Sequence, residues 1–269
     1  MPQIPGYRIR RSVSAVLECY RIGTIYPVLK AGWKWHDALR VLLAGLVGGV
    51  VVGALIGFGM DIDTTTTDFV FWVFLPAQNL IHIGAMAFIA RTRGFPNLSV
   101  ALDFRVDPKQ IRWVLAGAVL SIPLAWLSGG LRILLGIEEE SSQAIVERVI
   151  DTRGTATMVA VALGVVVMGP VAEEMIHRGL IFRYLRDRGQ GRTSTILITA
   201  LVFSLIHLMD PSLYNPAGAV TLAVLFVFGI FLGYIRDPNG DLGAPIFVHS
   251  GFNLLTLIVL YYFPSATSV

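Results

Sequence analysis

The chain has 269 residues, of which 55% are hydrophobic and 14% are charged, and its mean hydropathy is +0.69. Because the apolar residues come in blocks of about 20, the length at which a helix crosses a bilayer, this composition excludes an ordinary water-soluble globular protein. The single cysteine, Cys19, excludes an intramolecular disulfide, and the formal net charge of +3 is explained by membrane topology and contact with anionic lipid, without nucleic acid.

The N-terminal segment, residues 1–38, is basic and lacks the short apolar core and small-residue cleavage site of a signal peptide, so we expect a retained cytoplasmic segment. Seven apolar blocks follow that are long enough to cross a membrane, at roughly 40–60, 68–90, 111–135, 156–182, 194–210, 217–235 and 243–263. The sequence therefore predicts an all-α, polytopic transmembrane helix bundle of about seven spans. It has two parts, three N-terminal helices over 39–135 and a core of four helices over 155–263, with a short surface helix over 138–152.

The basic residues predict the orientation of this bundle. Of the 21 lysines and arginines, 18 lie before or at the start of the first span or in the connections 2–3, 4–5 and 6–7, which leaves Arg132, Arg148 and Arg153 for the opposite side. Basic residues concentrate on the cytoplasmic side of membrane proteins. The pattern predicts a multi-pass protein of the cell membrane with a cytoplasmic N-terminus and an external C-terminus.

Small residues recur every four positions in two of the spans. They are Gly45, Gly49, Gly53 and Gly57 in the first span and Gly229 and Gly233 in the sixth. This spacing places them on one helix face and predicts close packing against a neighbouring helix.

The fourth span carries the most unusual residues for a membrane segment, in the stretch "VMGPVAEEMIHRG". An ionised carboxylate at mid-membrane costs about 2.5–3.5 kcal/mol on insertion scales, so Glu173 and Glu174 require a partner or a use. Glu174 and Arg178 are four residues apart, which predicts a structural ion pair. Glu173 lies about 100° round the helix, beside Gly169 and Pro170, where a kink would open space.

Two later spans carry polar pairs with the same four-residue spacing, Phe203 with His207 and His249 with Asn253. Glu173 and His207 both fall about 20 Å from the predicted cytoplasmic ends of their helices. We therefore expect Glu173, His207, His249 and Asn253 to line one polar cavity, reached from the cytoplasmic half or laterally between helices.

The three segments "EEMIHR", "FSLIH" and "HSGFN" fit E-E-x-x-x-R, F-x-x-x-H and H-x-x-x-N in that order. Together they resemble the motifs of the CPBP family, which includes the Ras-converting CAAX prenyl endopeptidases and the Abi and bacteriocin-processing proteins. The resemblance implies an intramembrane glutamic endopeptidase without a metal or other cofactor, acting on a peptide or on a prenylated, membrane-anchored protein. It implies that Glu173 and His207 activate water and that His249 and Asn253 stabilise the oxyanion. Glu174, Arg178 and Phe203 become supporting residues, and His177 receives no role.

The chemistry of peptide hydrolysis agrees with this assignment. A carboxylate shielded from water beside a second carboxylate is a stronger base than an exposed one. Ser204 and Ser250 adjoin the histidines in sequence, but their side chains leave the helix about 100° away. Direct attack by water is therefore favoured over a covalent intermediate.

Other interpretations remain open from the sequence. Glu174, His177, His207 and His249 could ligate zinc or iron in a metallopeptidase. Glu173 could be the ion site of a transporter, although no inverted repeat is visible, and an immunity or scaffold protein could retain the cavity without catalysis. For His82, with Asn79 one turn before it, we favour a bond to a neighbouring helix over a catalytic role.

Overall fold

The computed structural model describes residues 32–105, 107–137, 149, 152 and 154–263, apart from the side chains of Asp237 and Pro238. Within these residues there is no strand, and seven helices are long and apolar enough to cross a membrane: α1 Trp35–Met60, α2 Thr67–Thr92, α3 Pro108–Leu135, α4 Thr157–Asp187, α5 Arg192–Met209, α6 Pro216–Arg236 and α7 Gly243–Tyr262. The predicted all-α bundle of seven spans is confirmed, and the chain is a multi-pass membrane protein. Most of the predicted segments 1–38 and 138–152 lie outside the described residues.

The first helix begins earlier than the apolar pattern predicts, at Trp35 instead of about residue 40. Its first turn is polar, so a hydropathy profile does not detect the start of the helix. The carboxylate of Asp37 accepts a hydrogen bond of 2.8 Å from the Lys34 backbone N–H and pairs with Arg93 at 2.6 Å. Asp37 is fully buried, so these bonds compensate for removing its charge from water.

Polar contacts tie one end of the bundle together. Asp37 at the start of α1 bonds Arg93 just beyond α2, and Gln110 at the start of α3 bonds Asp241 just before α7, at 2.9 Å. Asp103, in the connection between α2 and α3, pairs with Arg183 near the end of α4 and with Arg236 at the end of α6. The helices therefore alternate in direction. This end carries the basic connections, and its assignment to the cytoplasm stays a prediction.

The glycines of α1 pack against α2, as their spacing predicts. A Cβ at Gly45 would overlap the ring of His82, and one at Gly49 would lie 3.1 Å from the Cβ of Gln78. Any larger residue at Gly45 would therefore displace the helix or the ring. His82 therefore lies against α1, and its structural role stays a prediction.

A second glycine crossing joins α3 to α7. A Cβ at Gly117 would overlap the carbonyl of Val248, and one at Gly251 would overlap the carbonyl of Val114. The two helices thus touch backbone to backbone at this level. Because each helix contributes a single glycine, no spacing within one helix predicts the contact. The crossing lies beside His249 and Asn253 and positions that part of α7.

Candidate active site

Helix α4 changes its winding around the two glutamates. The α-helical segment Gly169–Glu174 is flanked by π-helical turns over Leu163–Met168 and Met175–Ile181, a form often found at functional sites. In the first turn the Gly169 N–H bonds the Gly164 carbonyl, five residues back. The sequence predicts a kink here, and the structure resolves the strain by widening the helix.

Pro170 leaves one backbone carbonyl of this π-turn without its helical hydrogen bond. Its nitrogen has no hydrogen to donate to the Val165 carbonyl, five residues earlier. That carbonyl instead accepts a hydrogen bond of 2.8 Å from Nδ2 of Asn253. Because Pro170 does not use the Val165 carbonyl, that carbonyl can hold the side chain of Asn253 from α7. The second N–H of the Asn253 amide group is left for another acceptor.

The second glutamate is the anchor of the site. Glu174 is completely buried, and its Oε1 accepts hydrogen bonds from Arg178 Nη1 at 3.0 Å and from His249 Nδ1 at 2.9 Å. The predicted ion pair between Glu174 and Arg178 is present. Arg178 is equally buried, donates from Nη2 to the Gly229 carbonyl at 3.0 Å, and lies over the Phe203 ring at 4.6 Å. A removed partner would leave an uncompensated buried charge.

The first glutamate faces the cavity. The side chain of Glu173 is 39% exposed, and its Oε2 lies 3.9 Å from Nε2 of His249. One imidazole therefore bonds the buried Glu174 through Nδ1 and approaches the accessible Glu173 through Nε2. We expected the two glutamates to diverge, and they do, but helix geometry alone does not predict that one histidine reaches both.

Phe203 is the common packing partner of three histidines. Its ring lies 5.3 Å from that of His177, 5.2 Å from that of His207 and 5.8 Å from that of His249, each at a steep angle. This edge-to-face arrangement is favourable for aromatic rings. Phe203, which the family motif includes only as a supporting residue, thus sets the mutual positions of the imidazoles.

Two of the three histidines are anchored in the same way, by a backbone carbonyl four residues earlier. Nδ1 of His177 contacts the Glu173 carbonyl at 2.7 Å, and Nδ1 of His207 contacts the Phe203 carbonyl at 2.8 Å. Because a carbonyl only accepts, these two Nδ1 atoms carry hydrogen, and in the neutral ring Nε2 is an acceptor. The spacing of four residues in both cases is the sequence signal that could have identified this role for His177.

A cavity of about 900 Å³ collects these groups. Its lining includes all four predicted catalytic residues, Glu173, His207, His249 and Asn253, together with His177. Glu174 and Arg178 lie behind its wall. From α2 the lining adds Gln78, Asn79 and His82, and His82 is near enough to interact electrostatically with Glu173.

The lining of the cavity extends along several helices. It reaches along α3 from Ser121 to Arg132 and along α7 from Asn253 to Leu260, toward the end that is external in the predicted orientation. The apolar residues Leu39 to Leu46 of α1 line it nearer the other end. Access to the cavity from the cytoplasmic half or laterally between helices stays a prediction. His207 lies close to the far end of α5, which has 18 residues.

Two further observations bear on the alternatives. The hydroxyl of Ser204 donates to the Leu222 carbonyl at 2.6 Å, so it is engaged away from the histidines. Among the described residues, no group of three or more His, Cys, Asp and Glu side chains is arranged to hold a metal ion. That geometry gives the metallopeptidase interpretation no support, and a chelator experiment can test it.

Comparison with known proteins agrees with the motifs. Residues 155–255 match the family described as "Type II CAAX prenyl endopeptidase Rce1-like". An Escherichia coli protein described as "Uncharacterized 24.3 kDa protein" is 23% identical over 158 residues, which cover 55% of this chain and 70% of that protein. No solved structure gives a significant match. The segment from α4 into α7 is therefore similar to the Rce1-like CAAX prenyl endopeptidases, which are a protease family.

Proposed function

We propose that this protein is a glutamic intramembrane endopeptidase of the cell membrane. It hydrolyses a peptide bond in a lipidated or otherwise membrane-anchored peptide, and it needs no metal ion. The observation that carries the proposal is the position of Glu173. Its accessible carboxylate lies on the cavity, 3.9 Å from the Nε2 of a histidine that the buried Glu174 holds in place.

Glu173 and His207 act on the attacking water. The water oxygen forms a bond to the scissile carbonyl carbon while its proton passes to the Glu173 carboxylate, and the acceptor Nε2 of His207 orients the second hydrogen. When the tetrahedral intermediate collapses, the carbon–nitrogen bond breaks. Glu173 then returns the proton to the leaving amine, so the carboxylate is regenerated.

His249 and Asn253 stabilise the oxyanion. Nδ1 of His249 bonds the buried Glu174 carboxylate, so Nε2 donates to the oxyanion when the ring carries both protons. Asn253 uses one amide hydrogen on Val165 and keeps the other for the oxyanion. Loss of one such donor costs about 10²–10³-fold in rate.

The first test is cleavage of a quenched fluorescent peptide with a farnesylated Cys-aliphatic-aliphatic-Met end by purified protein in detergent. The unprenylated peptide serves as a comparison for the lipid requirement. Glu173→Gln keeps the side-chain shape and removes the proton acceptor, so the rate should fall by about 10²–10⁴-fold while the thermal midpoint stays within a few degrees. Wild-type cleavage rates for this variant would falsify the glutamic mechanism.

The metal question needs a separate arm of the same assay. Activity should persist after prolonged incubation with EDTA or 1,10-phenanthroline. Loss of activity that added zinc or iron restores would instead establish the metallopeptidase alternative.

A further inference from the structure

His177 has a buried ring atom without a hydrogen-bond partner. The residue is 1% exposed and lines the cavity, yet within the described part of the chain its Nε2 contacts no donor or acceptor. A buried polar atom of this kind destabilises the fold when it stays unpaired. The family motif gives this position no role, so the atom needs its own explanation.

The anchoring of the ring determines what Nε2 can bind. Nδ1 donates to the Glu173 carbonyl at 2.7 Å, and Phe203 packs edge-on at 5.3 Å, so the ring is held from two sides. In the neutral form the proton on Nδ1 leaves Nε2 as an acceptor. Its partner must therefore be a donor, and because neighbouring side chains cover Nε2, that donor arrives in the cavity with a small displacement of one of them.

A peptide brings such donors. In the mechanism above the two hydrogens of the attacking water go to Glu173 and His207, so the water does not need a third acceptor. The backbone N–H groups of a peptide leave water when the peptide enters the cavity, and each costs free energy until it is paired. The ring of His177 lies beside Glu173, because its Nδ1 bonds the Glu173 carbonyl, and the peptide must lie near Glu173 for cleavage.

We propose that His177 is a substrate-positioning residue whose Nε2 accepts a hydrogen bond from a backbone N–H of the bound peptide near the scissile bond. This inference rests on the proposed function for the identity of the ligand. It assigns to α4 a second polar contact with substrate, one helical turn from the proposed base.

Two substitutions separate the two nitrogens of the ring. His177→Asn retains a donor near the Nδ1 position, for the Glu173 carbonyl, and removes the distant acceptor. His177→Gln retains an acceptor near the Nε2 position and loses the near donor. If His177 positions the substrate, the asparagine variant should bind peptide more weakly than the glutamine variant. If the Nδ1 bond is purely structural, the order should be reversed.

Binding is measured with the farnesylated peptide by fluorescence anisotropy in a Glu173→Gln background, so that the probe stays intact. His177→Asn should weaken binding by about 5- to 100-fold, and His177→Gln should stay within about threefold of the parent. In the wild-type background KM should rise in the same proportion, with kcat nearly unchanged. In a set of probes that are each N-methylated at one backbone nitrogen, one probe should bind the parent and His177→Asn with equal affinity.

Equal losses on every N-methylated probe, or equal binding by both variants, would overturn the proposal. A measurement without substrate also tests it: the chain has 5 histidines, so comparing ¹⁵N-histidine NMR spectra of the wild type and His177→Asn assigns the His177 signals. A proton on Nε2 instead of Nδ1 would overturn the assignment. Peptide binding that depends on His177 without any cleavage would contradict the protease proposal and leave the role of His177 standing.

Discussion

His249 Nδ1 lies 2.9 Å from Oε1 of Glu174, a carboxylate that is fully buried and that also holds Arg178. The motif residues of α4 and α7 are therefore one hydrogen-bonded unit. The other ring nitrogen of His249, Nε2, lies 3.9 Å from Oε2 of Glu173. We therefore expect Glu174 to position His249 and substitutions of Glu174 to act differently from those of Glu173.

Replacement of Glu174 by glutamine should affect both catalysis and stability. The amide can still accept from His249 but carries no negative charge, so it leaves Arg178 as a buried, unpaired charge. We expect at least a 10²-fold loss in kcat per folded molecule, together with a destabilisation of about 3–5 kcal/mol. The measurements are single-turnover cleavage and thermal unfolding in detergent. Unchanged stability combined with full activity would show that the unit does not operate as described.

Asn253→Ala should reduce kcat by about 10²–10³-fold with little change in KM, because the oxyanion forms only after the peptide has bound. The variant also removes the donor to the Val165 carbonyl in the π-turn, so some loss of stability is expected. Asn253→Asp keeps the size of the side chain and places acceptors where donors are needed. If the aspartate variant cleaved as fast as the wild type, Asn253 would have no role in oxyanion stabilisation.

Arg178→Ala should act mainly through folding. The substitution strands the buried Glu174 carboxylate and removes a cation from the face of Phe203, so we expect a loss of about 3–5 kcal/mol in stability and a low yield. Activity should fall in proportion to the folded fraction. The matched control is Arg183→Ala, whose partner Asp103 is 44% exposed and whose removal should cost at most about 1 kcal/mol. Similar thermal midpoints for the two variants would contradict this expectation.

The orientation of the bundle is open to direct labelling. In a Cys19→Ser background, a cysteine at Thr65, in the α1–α2 connection, should react with an impermeant maleimide from outside the cell. A cysteine at Gln190, in the α4–α5 connection, should react only after the membrane is permeabilised. The expectation follows from the concentration of basic residues at the opposite end of the bundle from Thr65. The reverse labelling pattern would place the N-terminus outside.

Local patterns predicted the features that depend on one helix at a time. Apolar blocks of about 20 residues predicted the seven spans, because crossing a bilayer requires that length whatever the neighbouring helices are. The contact between Glu174 and Arg178 was predictable for a similar reason, since residues four apart lie on one helix face. The glycines of α1 likewise predicted a packing face, but their spacing did not indicate which helix it contacts.

Contacts between helices were decided only by the tertiary structure. His249 is 75 residues from Glu174 and Asn253 is 88 residues from Val165, and no periodicity carries information across such separations. The same holds for the grouping of three histidines around Phe203. The start of α1 was misplaced because Asp37 is polar in sequence but buried and paired with Arg93 in space.

The sequence by itself thus determined that this is an all-helical membrane protein and which ionisable residues its spans must accommodate, because burying charge in a bilayer carries a large free-energy cost wherever it occurs. Only the tertiary structure decided that Glu174 is the buried anchor and that Glu173 is the accessible carboxylate beside Nε2 of His249. It also decided that His177 lines the same cavity and that, among the described residues, its buried Nε2 has no hydrogen-bond partner. The physical reason is that exposure and hydrogen-bond partners depend on how the helices pack together, which no single helix encodes.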